Sequence, residues 1–202
     1  MVQSLPYLRE SASQTSGPYV HIGLAPGAAG FQTFETELGQ TLAPEGEPGP
    51  RITIEGMVFD GLGAPVKDVL IEVLQADAAG IYPHPEDSRF ADCAQGFRGW
   101  GRVISDFDTG LFRFETIKPG ATPGRTQAPH LNLWLVSRGI NIGLNTRMYF
   151  PEDSIAHAAD PVLGSIEQRH RVATLIATAT GSANYRFDIC LQGDGETVFF
   201  DL

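Results

Sequence analysis

The feature that most constrains this chain is how its apolar residues are portioned along it. They fall in short stretches, several of them alternating apolar with polar, and turn-forming residues separate one stretch from the next. Side chains on a strand alternate between two faces, so such a stretch can bury one face and wet the other. The 23 glycines and 14 prolines are many for a helical protein. Together these signs predict a mostly β chain, a sandwich or barrel.

The expected strands follow in order. Arg51–Phe59 (RITIEGMVF) alternates and ends at the turn Asp60-Gly61-Leu62-Gly63. Val69–Gln75, Leu111–Thr116, His130–Ser137 and Thr146–Phe150 come next, with Ile117-Lys118-Pro119-Gly120 closing the second of these. Tyr185–Leu191 and Thr197–Asp201 read as a C-terminal pair around the Gly-Asp-Gly turn at 193–195. One helix is expected to start at Asp160-Pro161, an N-cap residue followed by proline, and to continue through Ile166 to Ile176. Residues 1–50 carry few strand signals. They read as an arm laid over a partner surface, with Leu5, Tyr7, Tyr19, Val20 and Ile22 as apolar anchors. Residues 51–202 form the sandwich domain.

Charge and motifs exclude several functions. The formal net charge is -10, whereas phosphate backbones are bound through clustered Lys and Arg. An anionic substrate would need a local cation against that field, which draws attention to Arg138. No run of about 18 apolar residues could cross a bilayer. The opening MVQSLPYLRESASQ lacks the basic and apolar regions of a signal peptide, and two cysteines imply no disulfide framework, so a cytoplasmic setting is expected. The five histidines form no HExxH and no His-x-His pair. No GxSxG elbow, GxGxxG or P-loop occurs, and no pair of carboxylates is spaced for glycosidase work. Taken alone, the residues describe an acidic β-sandwich without an assembled active site.

Three stretches add a resemblance: VLIEVLQADAAGIYPH (69–84), DFDTGLFRFETIKPG (106–120) and APHLNLWLVSRGINIGLNTRMYF (128–150). In this order and spacing the chain resembles the intradiol ring-cleaving dioxygenases, a family with a β-sandwich around a non-haem Fe(III). The resemblance implies a site of two tyrosines and a His-x-His pair. Phenolate and imidazole are ligands that suit Fe(III), and a His-x-His pair on a strand sets both rings on one face. Carried over singly, the first Tyr falls on Tyr82 and the second on Thr122. The two His positions are His130 and Asn132, and the family's active-site Arg falls on Gln127. Thr and Asn cannot supply the charge that phenolate and imidazole bring, so no metal is expected in this chain, and Tyr82 and His130 become structural.

Some members of the family pair two homologous subunits, one lacking a working iron site. This chain resembles that iron-free kind along nearly its whole length, most specifically in SQTSGPYVHIGL, 128–150 and YRFDICLQGDGETVFFDL. The resemblance implies a homologous beta-type partner holding the Fe(III), with 3,4-dihydroxybenzoate and O2 as substrates. It further implies that Gly17, Pro18 and Arg138 contact the substrate in the partner's pocket. Along the key strand, Leu131, Leu133 and Leu135 should share the core face, opposite His130, Asn132, Trp134, Val136 and Arg138. Arg138 should lie about 26 Å from His130 at about 3.3 Å per residue, too far to serve this chain's own remnant site. Two alternatives stand beside this. One is a transthyretin-like or carboxypeptidase-regulatory-like binding sandwich, in which DFDTGLFRFETIKPG is only structural. The other is a metalloenzyme using Tyr82, His84, His130 and a carboxylate.

Overall fold

Burying one face of each alternating stretch produces two sheets. The computed structural model describes residues 15–94 and 96–201. Leu5 and Tyr7, two of the expected anchors, lie outside the described residues.

The first sheet is built on β1 (Arg51–Phe59), where buried and less buried positions alternate from end to end. One edge of β1 pairs antiparallel with β4 (Leu111–Ile117). Its other edge pairs in parallel with β8 (Asn184–Arg186) and β9 (Ile189–Cys190), and β7 (Thr178–Ala179) adds to β8. The second sheet is antiparallel throughout. It runs β3 (Trp100–Ile104), β2 (Leu70–Gln75), β5 (His130–Val136), β6 (Leu144–Tyr149). Ile52, Ile54, Phe112 and Phe114 of the first sheet share one core cluster with Ile71, Val73, Leu131, Leu133 and Leu135 of the second. Each such side chain is worth about 1.5–3 kcal/mol when fully buried, and together they set the sandwich.

Residues before Arg51 enter this core. Leu42 is 1% exposed and belongs to the same cluster. It lies on β3 because Gly101 has no side chain: a Cβ there would sit 2.3 Å from Leu42 Cδ1. Gly101 also breaks the apolar alternation of WGRVI, and sequence periodicity accordingly misses β3.

The C-terminus departs from the expected hairpin. Residues 184–190 run in parallel along β1 with an interruption at Phe187-Asp188, where the Asp188 carboxylate accepts from Met57 N at 2.8 Å in place of a carbonyl. Thr197 still bonds Cys190, but Phe200 bridges to Asn145 of the other sheet, and 197–201 is not a regular strand. The chain crosses between sheets here because Val198 and Phe200 are needed in a second apolar cluster with Tyr149 and Leu175.

The expected long helix is also corrected. Asp160 does cap a helix, accepting from Val162 N and Leu163 N, but α3, which follows α1 (Tyr19–Leu24) and α2 (Ser154–Ala159), spans only Pro161–Ser165. Ile166 turns extended, and Arg169–Leu175 is a 3-10 segment. That path brings Ile176 alongside Tyr149, a position a continuous helix would miss. Among the described residues no helix is long and apolar enough to cross a membrane.

Gly56 shows how tightly residues 184–190 press on β1. A Cβ at Gly56 would lie 1.9 Å from Phe187 O and 2.6 Å from Phe112 Cζ. Overpacking of a filled core costs about 1–3 kcal/mol, and backbone leaves little room to relax. Gly56→Ala should therefore lower the unfolding free energy by at least that amount, seen as a lower urea midpoint at unchanged m. A midpoint equal to the parent's would show that the two segments can part without loss.

Candidate functional site

β5 carries the family's histidine positions, and its start is fixed by a buried carboxylate. Asp160 is 2% exposed. While one of its oxygens caps α3, the other accepts from Ala128 N at 2.8 Å, tying that helix to the entry of β5. His130 follows, buried, with Nδ1–H donating to Ala128 O at 2.7 Å. This fixes the neutral tautomer and leaves Nε2 as an acceptor. Tyr82, in the loop after β2, donates its Oη–H to that Nε2 at 3.1 Å. Asn132 then donates Nδ2–H to Tyr82 Oη, also at 3.1 Å. Thr122 and Gln127 face each other across one backbone bridge, both buried. Tyr82, Thr122, Gln127 and Asn132 line a cavity of about 990 Å³ together with Trp100 and Arg147, and His130 is joined to it through Tyr82.

This arrangement does not fit Fe(III). A metal needs the lone pairs of Tyr82 Oη and His130 Nε2, and hydrogen atoms from Asn132 and Tyr82 take them. Burial raises the Tyr82 hydroxyl's pKa, which keeps it protonated. Burial, with Arg147 adding to it, pushes His130 down to about 4. Both groups are neutral at pH 7, and Asn132 presents a donor where the family has a donor of electrons. His84 Nδ1 accepts from Glu86 N at 3.2 Å, and among the described residues no group of three or more His, Cys, Asp or Glu could hold a metal ion. His130 Nε2 and the Tyr82 hydroxyl, the two atoms a metal would take, are thus engaged from within the chain.

A second site lies beyond the opposite end of β5. Residues 15–18 and 138–140 are far apart in sequence, yet Thr15 Oγ1 accepts from Gly139 N at 2.6 Å and donates to Ile140 O at 3.2 Å. Pro18 and Arg138 consequently line one cavity of about 510 Å³ with Ile22, Phe31, Lys67 and Phe107. Arg138 Nε donates to Asp68 Oδ2. Ser137, fully buried, donates its hydroxyl to Asp68 Oδ1 at 2.7 Å. Burial alone would raise the Asp68 carboxyl's pKa, but Arg138 and Ser137 hold it below the usual carboxylate range. His21 packs edge-on to Phe107 at 5.4 Å, and its buried Nε2 has no partner among the described residues. The two cavities share no lining residue. Of Gly17, Pro18 and Arg138, singled out in sequence, Pro18 and Arg138 line this cavity, and Gly17 is not among its lining residues. Asp68 and His21 carry no motif; only their places beside Arg138 in space bring them into the site.

A β-sandwich whose metal positions have become a closed hydrogen-bond couple is a recognisable variant of one family. A family model described as Dioxygenase matches residues 31–193, and the chain belongs to this family, the intradiol dioxygenases. It is 48% identical over 200 residues to the protocatechuate 3,4-dioxygenase alpha chain of Pseudomonas putida, covering 96% of this chain and 97% of that one. It is 37% identical over 183 residues to the protocatechuate 3,4-dioxygenase beta chain of Burkholderia cepacia, covering 85% of this chain and 77% of that one. In fold it is similar to catechol 1,2-dioxygenase from Acinetobacter sp. ADP1 inhibited by bound mercury, with a TM-score of 0.56 at 20% identity over 77% of this chain and 57% of that one. The dioxygenase domain of a carbohydrate-binding fusion from Streptomyces sp. SirexAA-E gives 0.55 at 23% identity over 83% and 96%. Family membership displaces the transthyretin-like alternative.

The His130 couple has a pH signature. Its folded pKa of about 4 lies below the ordinary 6.5, so the unfolded chain takes up the proton first as pH falls. The stabilisation is complete above about pH 6.5 and is lost progressively towards pH 4. His130→Gln should flatten the stability profile across that window relative to the parent. Identical slopes would mean that His130 is not buried neutral.

Proposed function

We propose that this chain is the iron-free, alpha-type subunit of a protocatechuate 3,4-dioxygenase and works beside a homologous beta-type chain that carries the Fe(III). The observation that carries this is the Asn132–Tyr82–His130 couple, satisfied without a metal, in a chain similar to an alpha chain over 96% of its length. The reaction is intradiol cleavage of 3,4-dihydroxybenzoate by O2 to 3-carboxy-cis,cis-muconate, a step of cytoplasmic aromatic catabolism in the beta-ketoadipate pathway. The ring opens between its two hydroxylated carbons, and both oxygen atoms of O2 enter the product. The ferric ion, its ligands and the family's Arg belong to the partner; here that Arg position is Gln127.

We assign Gly17, Pro18 and Arg138 to the substrate pocket completed across the interface. Arg138 supplies the cation that an acidic chain needs to receive a carboxylate, and a guanidinium offers a fork that matches it. Among the described residues a Cβ on Gly17 would meet nothing within 4 Å, which leaves room for a ring to approach its backbone. Pro18 adds a rigid wall with no N–H to satisfy. We assign residues 1–50 to an arm packing on the partner, apart from Leu42 and Ala43, which fill this chain's own interior. Tyr19, Ile22, Phe31, Phe34 and Leu38 are all exposed in the single chain, an apolar surface of the kind that interfaces cover.

Co-expression with a homologous chain bearing a His-x-His pair should yield a co-purifying complex that holds iron and cleaves protocatechuate. The chain purified alone should hold no stoichiometric iron and show no turnover. Iron bound one-to-one in the isolated chain would refute the assignment. In the assembled enzyme, Arg138→Ala should raise KM for protocatechuate about tenfold or more, the loss of a charged hydrogen-bond pair of about 1.5–3 kcal/mol. Catechol, which lacks the carboxylate, should respond far less. Equal effects on both substrates would confine Arg138 to folding or assembly. Deleting residues 1–20 should weaken the complex, seen as dissociation on dilution; a truncated chain that assembles as tightly as the full one removes the arm from the interface.

A further inference from the structure

We infer that Asp68 is the positioning residue of the carboxylate pocket, clamping Arg138 by its Nε so that the Nη edge of the guanidinium is presented to the substrate. This presupposes the proposed contact between Arg138 and the substrate carboxylate, and adds what makes that contact selective.

Arg138 needs such a clamp. Its side chain is 61% exposed, and it sits past the end of β5 where no strand pairing restrains it. A free arginine has several rotatable bonds and surrenders much of that freedom on binding. The donor recorded to Asp68 is Nε, not Nη. A carboxylate engaged at Nε leaves the two terminal nitrogens as a second, outward fork. Asp68 is itself held: its side chain is 15% exposed, and Ser137, the residue next to Arg138, donates to its other oxygen at 2.7 Å. Leu70, two residues on, is already in β2 and paired with Val136. Clamp and clamped residue therefore sit at the ends of neighbouring strands in fixed register.

The sign of the effect separates this role from simple charge pairing. Removing Asp68 removes a negative charge from a pocket that must accept an anion. Were Asp68 only a neutralising neighbour, its loss would strengthen carboxylate binding. If it orients Arg138, its loss weakens it.

The test uses the enzyme assembled with its iron-bearing partner. Asp68→Ala should raise the ratio of KM for protocatechuate to KM for catechol about three- to tenfold, the cost of immobilising a rotamer-rich side chain only on binding. In an Arg138→Ala background the same substitution should leave that ratio where Arg138→Ala alone put it. Asp68→Asn, whose amide oxygen still accepts from Nε, should recover most of the loss, and it serves as the measurement if Asp68→Ala does not assemble. A ratio that falls or stays level on Asp68→Ala, or that drops below the parent's on Asp68→Asn, while Arg138→Ala still raises it, overturns the positioning role and leaves Arg138 as the contact. If Arg138→Ala affects both substrates equally, the contact itself fails and the clamp with it.

Discussion

Strand β5 is the constraint on which the rest depends. It is paired on both edges, to β2 and β6, and its inward side chains Leu131, Leu133 and Leu135 are locked in the core. A slip of one residue would turn those leucines out and His130 and Asn132 in, so burial fixes the register strongly. With the leucines committed, the outward row is committed too. One end of the strand then holds the remnant site and the other leads into the pocket of Arg138. The geometry that keeps the two apart is that of a fully extended strand.

At the end that holds Tyr82 and His130, two largely buried polar side chains must be satisfied without a metal. A buried tyrosine and histidine without a metal would each leave a polar atom unsatisfied, at about 1–3 kcal/mol apiece. Asn132 and Tyr82 supply the missing hydrogen bonds, and the Ala128 carbonyl holds the ring. Asn in place of a second histidine is therefore a fitting residue, because its amide can donate where an imidazole nitrogen would have ligated. The couple stays neutral, as burial requires of groups with no counter-ion.

At the other end the electrostatics run against the chain as a whole. Its net charge is -10, yet the pocket presents Arg138 and Lys67 beside apolar walls. Asp68 lies in the same pocket, and its charge is met by Arg138 Nε and the Ser137 hydroxyl, so less of it faces the opening. Local arrangement thus outweighs global charge for a ligand within a few ångströms, since screening cuts the remote charges at about 8–10 Å.

Much of this was legible in the residues themselves. Alternation gave β1, β2, β4 and β5, because period-2 burial is written directly in residue order, and Asp160-Pro161 marked a true helix start. Thr122 and Asn132, at positions where the resemblance implies ligands, are also legible in sequence, since this is a matter of residue identity at fixed spacing. Tertiary structure decided the rest. β3 hides behind Gly101, whose purpose is visible only when Leu42 is seen lying on it. The parallel run of 184–190 along β1, and the end of α3 at Ser165, answer to partners distant in the chain. Nothing near Asp68 in sequence points to Arg138; their meeting comes from the pairing of β2 with β5. Local pattern is carried by neighbours in the chain, whereas register between strands and contacts between loop ends are settled by which surfaces the core must bury together.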